Sequence, residues 1–121
     1  MVASGYERQL NNLRRKLDAH DAAMIQRRSR AREAAPRIAG LLRAQFGAGR
    51  VWLVGSAIIG RSFGPGSDID LLVEGLSPAV YLKALTTAES LTGGEFPVDL
   101  IRLEDLEPES RALFLGKATL L

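Results

Sequence analysis

Asp68 and Asp70 stand two residues apart at the head of an apolar run, Ile69 to Val73. A third carboxylate, Asp99, lies inside another such run, Val98 to Ile101. Side chains alternate faces along a strand, so Asp68 and Asp70 point one way while Ile69 and Leu71 point the other. Aspartate is depleted in strands, and two on one face repel each other unless a positive charge lies between them. A hard divalent cation answers that need. Mg²⁺ takes oxygen ligands and typically binds one or two carboxylates together with substrate phosphates. If the strand holding Asp99 lies beside the strand holding Asp70, the three acids fit a two-ion site for in-line phosphoryl transfer. Taken alone, Asp-x-Asp is more often a solvated strand face.

Upstream, the short apolar run Val51 to Val54 leads into Gly55-Ser56. A glycine at a strand end lets another group approach the backbone closely, and a helix start just after it offers unpaired N–H groups to an anion. The Ser56 hydroxyl adds a hydrogen bond to a phosphate oxygen. Alone this is a turn and a helix cap. Combined with Ser67-Asp68-Ile69-Asp70 it makes a phosphate cradle facing a metal site. Other phosphate motifs are missing: there is neither Gly-x4-Gly-Lys-Ser/Thr nor Gly-x-Gly-x-x-Gly after a strand.

The elements that must position these groups read as follows. Ser4-Gly5-Tyr6-Glu7 has capping-box form. Tyr6, Leu10, Leu13, Leu17, His20 and Met24 then recur at helical spacing, with arginines and Lys16 on the other faces. Packing of this helix on its own domain is the leading expectation. A seam for a partner or a second copy comes next, and direct nucleic-acid binding is not expected, for want of interleaved aromatics. Pro36 is expected to break or restart the helix, and Gly47 and Gly49 to stop it. Residues 51–54, 69–73 and 97–101 read as strands. Ala57 to Ser62 reads as a short helix and Phe63 to Gly66 as a loop. A helix capped by Ser77 and started by Pro78 follows, with Tyr81, Leu82, Leu85, Ala88 and Leu91 as its buried face. The last elements are a helix from Pro108 to Leu115 and a short terminal strand within Ala118 to Leu121.

With 121 residues the chain can bury one core. The absence of cysteine excludes disulfides, thiolate nucleophiles and cysteine-ligated zinc, and the single histidine, His20, argues against a Ser-His-Asp triad. No apolar run reaches membrane-spanning length and residues 1–7 lack a signal-peptide core, so the expected location is cytoplasmic, with no membrane partner. Charge is uneven: residues 1–48 carry a net +6 and residues 49–121 a net −4. That asymmetry suggests an acidic partner or a solvated basic helix beside an acidic site.

Gly55-Ser56-x-x-x-Gly60, Ser67-Asp68-Ile69-Asp70-Leu71-Leu72-Val73 and Val98-Asp99-Leu100 together resemble the DNA polymerase β-like nucleotidyltransferases. The resemblance is strongest to the minimal nucleotidyltransferases (MNT) that pair with HEPN-domain proteins as antitoxins. It covers residues 36–121 and implies an α+β fold, with a small mixed sheet of three to four strands packed with helices. Residues 1–35 would form a basic helical extension. It also implies that Asp68, Asp70 and Asp99 bind Mg²⁺, that Asp99 handles the acceptor hydroxyl's proton, and that Gly55, Ser56 and Ser67 hold the triphosphate of ATP. The implied reaction transfers AMP to a hydroxyl of a HEPN-type partner protein. Ile58-Ile59 stands where many members carry Ala-Arg, which leaves Arg61 as the nearby phosphate-binding cation. Eleven residues separate Ser56 from Asp68, one more than the commonest family spacing. The alternative expectation is a weakly catalytic module of the same fold that neutralises or regulates its partner by binding.

Overall fold

The computed structural model describes residues 5–55 and 68–121. The expected helix over 57–62, the loop over 63–66, and Ser56, Arg61 and Ser67 lie outside the described residues. A helix α1 (Gly5–Phe46) leads into β1 (Val51–Val54). After β2 (Ile69–Val73), a 3₁₀ turn at Pro78–Val80 opens α2 (Tyr81–Leu91), which leads to β3 (Val98–Arg102). The chain closes with α3 (Pro108–Leu115) and β4 (Thr119–Leu120). The four strands form one sheet in the order β3-β2-β1-β4. β1 runs antiparallel to β2 and β4, whereas β2 and β3 are parallel. The sheet is therefore mixed, and the parallel pair is joined by the crossover through α2 that such pairing requires.

Both faces of the sheet are covered, which is why β1 and the Ile69–Val73 run read as nearly unbroken apolar stretches. On one face Val51, Leu53, Ile69, Leu71, Val98 and Leu100 pack with Ala31, Ala35, Ile38, Leu42, Ala84 and Ala88 from α1 and α2. On the other, Trp52, Val54, Leu72 and Leu103 pack with Ile101, Leu106, Phe114 and Ala118. Asp70 alternates onto this second face, beside Val54.

Two expectations about helices are corrected here. α1 does not break at Pro36 but runs through it for 42 residues. A mid-helix proline costs about 3 kcal/mol. Ala31, Ala35, Ile38, Ala39 and Leu42 are all fully buried on either side of it, and that packing offsets the loss. The helix stops where glycine allows it: Gly47 has φ +71°, and the Ala48 amide donates back to the Leu42 carbonyl at 3.2 Å. In α2 the buried residues are Ala84 and Ala88, while Leu82 is exposed. Small residues let α2 approach α1 and the sheet closely, which turns Leu82 outward.

The N-terminal half of α1 does not pack on its own domain. Residues 5–23 are all exposed, including Tyr6, Leu10, Leu13 and Leu17. The body of the domain begins near Arg27, whose guanidinium lies 4.4 Å from the Phe96 ring centroid. Arg30 there pairs with Glu95 at 2.6 Å.

Candidate active site

The parallel register sets Asp70 directly beside Asp99, with Val54 of β1 opposite Asp70 on the other side. The condition posed by the sequence, that the strand bearing Asp99 lie next to the strand bearing Asp70, is met. Asp68 precedes β2 by one residue and is half-buried, as is Asp70, while Asp99 is exposed. Asp70 and Asp99 lie on the sheet face against which Phe114 of α3 packs.

Gly55 completes this corner. It follows the last residue of β1 with φ +79°, a region that strongly favours glycine. A Cβ placed there would stand 2.5 Å from Oδ2 of Asp70 and 3.3 Å from its Cγ. The Gly55 backbone therefore lies against the Asp70 carboxylate, and the two sequence motifs meet at this contact.

The electrostatics reflect the crowding. Burial pushes the Asp70 carboxyl up to about 6, and the like charges of Asp99 and then Asp68 push it the same way. Oxygen-only donors, mutually repelling, suit a hard cation. Among the described residues no three Asp, Glu, His or Cys side chains are close enough to hold an ion by themselves. Mg²⁺ held by Asp70 and Asp99 would thus take further oxygens from substrate or water, its usual habit.

Two neighbours were not signalled by any motif. Tyr81 donates its hydroxyl to the Leu100 carbonyl at 2.6 Å, tying α2 to the strand residue after Asp99. Burial raises its phenol pKa first, and the charges of Asp99 and Asp105 add to the shift. A cavity of about 370 Å³ opens beside Gly55, lined by Val54, Leu113, Phe114 and Lys117. Leucine and phenylalanine in a short helix, with a lysine two residues past its end, are ordinary, so nothing in the sequence marked them.

A solved structure described as a candidate minimal nucleotidyltransferase matches this fold with a TM-score of 0.62 and 30% identity, over 74% of this chain and 91% of that one. The chain belongs to the minimal nucleotidyltransferase family. Two toxin–antitoxin crystal structures share the fold at lower identity. One, solved with AMP-PNP, is 21% identical with a TM-score of 0.59, covering 71% of this chain and 70% of that one. The other, an MntA-HepT pair, is 18% identical with a TM-score of 0.55, covering 74% and 69%. No protein-family model and no curated protein matches the chain.

In this minimal nucleotidyltransferase the raised pKa of Asp70 has a measurable consequence. Its ordinary value is 3.8, so the folded protein holds that proton more tightly than the unfolded chain does. The corresponding stability is complete below the ordinary value and is lost as pH rises through the folded one, from about pH 4 to about pH 6. In metal-free protein, Asp70→Asn is expected to match wild type at the acid end and to melt at higher temperature above pH 6. Thermal melts across that window check it. Parallel curves for the two proteins would mean that the carboxylate is not strained.

Proposed function

We propose that this protein is a Mg²⁺-dependent nucleotidyltransferase that moves AMP from ATP to a hydroxyl of a partner protein, as the antitoxin of a HEPN/MNT pair. The observation that carries the reading is the adjacency of Asp70 and Asp99 in parallel register, with the Gly55 backbone packed against Asp70. Asp68, Asp70 and Asp99 would hold the metal, and Gly55, Ser56, Ser67 and Arg61 the triphosphate. Mg²⁺, when bound, supplies charge neutralisation for the phosphates. The acceptor hydroxyl oxygen attacks the α-phosphorus, the bond to the bridging oxygen breaks, and pyrophosphate leaves. The exposed carboxylate of Asp99 takes or orients the hydroxyl proton. Such chemistry is mainly positioning and charge stabilisation, within reach of a small domain. The cavity beside Gly55 falls within the size range of ligand pockets and, being mostly apolar, is where the base would lie. The toxin–antitoxin likeness supports a toxin as partner.

The deciding experiment is calorimetric titration with ATP, with and without Mg²⁺, followed by mass spectrometry of the co-expressed HEPN-type partner for an AMP adduct. Binding that requires Mg²⁺, and an adduct on the partner, are expected. If ATP does not bind at millimolar concentration, the second reading takes over: a module of the same fold that acts by binding alone. The exposed apolar face of α1 favours that second reading.

A further inference from the structure

Asp68, Asp70 and Asp99 are acids that would face a ligand whose phosphates are negative as well. A cation between the acids answers one side of such a phosphate and leaves its other side without a counter-charge. Among the described residues after Gly49, the arginines are engaged elsewhere. Arg50 pairs with Glu74, Arg102 pairs with Asp105 and donates to the Leu76 carbonyl, and Arg111 donates to the Leu106 carbonyl. Lys83 is exposed on α2, and that helix packs on the opposite face of the sheet from Asp70. Lys117 differs from all of these. Its ammonium has no acidic partner among the described residues.

The register of the last strand fixes where Lys117 stands. β1 and β4 pair Trp52 with Leu120 and Leu53 with Thr119. Two residues further along this antiparallel pair, Lys117 comes level with Gly55. Both line the same cavity, together with Val54, Leu113 and Phe114. The Gly55 backbone thus has the Asp70 carboxylate against it on the β2 side and Lys117 on the β4 side. Strands lie about 4.8 Å apart, so β2 and β4 are separated by about 10 Å with Gly55 between them. The flexible four-carbon stem of lysine lets its ammonium close on an anion held there. The cavity lining divides by chemistry: Val54, Leu113 and Phe114 suit a base, while the Gly55 backbone and Lys117 suit a phosphate. Lys117 also stands two residues past α3, where a basic side chain often serves only the helix end. The two roles give different results.

We propose that Lys117 is a phosphate-binding residue of this site, holding the phosphate next to the sugar of a nucleoside triphosphate from the side opposite Asp70 and Asp99. The assignment takes its ligand from the nucleotidyltransferase reading and its place from the register and the cavity. The test titrates the full chain with Mg-ATP and with adenosine by calorimetry, as wild type, Lys117→Gln and Lys117→Arg. The glutamine variant is expected to bind Mg-ATP about tenfold more weakly, with adenosine binding and melting temperature unchanged. Arginine is expected to restore Mg-ATP binding. The chain has only three lysines, Lys16, Lys83 and Lys117, so NMR of isotope-labelled lysine ammonium groups adds a direct readout. The Lys117 signal is expected to move on addition of Mg-ATP while the other two stay. Equal Mg-ATP affinity in wild type and Lys117→Gln, or an equal loss of adenosine binding, would overturn the assignment. So would a loss of affinity matched by a fall in melting temperature, or no binding of either ligand at millimolar concentration. Mg-ATP binding that depends on Lys117 while the partner protein stays unmodified overturns the proposed reaction and keeps this site. Transfer that proceeds equally well in Lys117→Gln does the reverse.

Discussion

Asp70→Asn is expected to remove Mg²⁺-dependent ATP binding and to lower nucleotidyl transfer on the order of 10³-fold, about 4 kcal/mol of transition-state stabilisation. Asparagine keeps the shape of the side chain but withdraws the negative charge that a cation between Asp70 and Asp99 would bind. The same substitution is expected to raise the melting temperature of the metal-free protein at neutral pH. It relieves a carboxylate that burial and two neighbouring acids hold near a pKa of about 6. Asp99→Asn should follow with a smaller gain in stability, because Asp99 is exposed and has less desolvation to relieve. Opposite signs for activity and stability are the mark of a functional acid cluster. A purely structural role would move both downward. Calorimetry and thermal melts on the two variants separate these outcomes, and a variant that loses stability while still binding Mg-ATP would remove Asp70 from the site.

Much of the site was legible because its geometry follows from strand periodicity. A two-residue spacing puts Asp68 and Asp70 on one face whatever the sheet does, and the apolar residues between them must face a core. That β3 lies beside β2 in parallel was only a condition in the sequence, and the register of Asp70 with Asp99 fulfils it. What escaped the sequence did so for physical reasons. Periodicity reports an apolar face without saying what covers it: Leu13 and Ile38 lie on the same stripe, yet one is exposed and the other fully buried. Pro36 looked like a helix end because local propensity cannot register the burial of Ala31, Ala35 and Ala39 around it. In α2 the larger side chains seemed the natural core, but Ala84 and Ala88 make the close contact and Leu82 is exposed. The lining of the cavity beside Gly55 by α3 depends on how the last helix folds back over the sheet, and no local pattern encodes that.

Gly55→Ala is expected to cost far more in activity than in stability, and a second glycine shows why. Gly47 and Gly55 have nearly the same backbone, φ +71° and +79°. An alanine in this left-handed region costs about 1–2 kcal/mol at either position. The surroundings differ. A Cβ at Gly47 would meet nothing within 4 Å, whereas at Gly55 it would stand 2.5 Å from Oδ2 of Asp70 and within 3.4 Å of its Cγ and Cβ. Since Oδ2 is the far end of a side chain, the carboxylate can swing away, so the clash adds modestly to the unfolding free energy. It moves an acid proposed to bind the metal, and misplacement of a reacting group by about 1 Å is worth about 10²-fold in rate. Gly47→Ala should therefore lower the melting temperature with transfer and Mg-ATP binding intact. Gly55→Ala should lower it by a similar amount while transfer drops about 10²-fold and Mg-ATP binding weakens. Denaturation midpoints together with calorimetric titrations on both variants give the comparison. If the two alanines behaved alike in Mg-ATP binding, the contact between Gly55 and Asp70 would be mere packing, and the phosphate cradle would have to be sought elsewhere on the sheet.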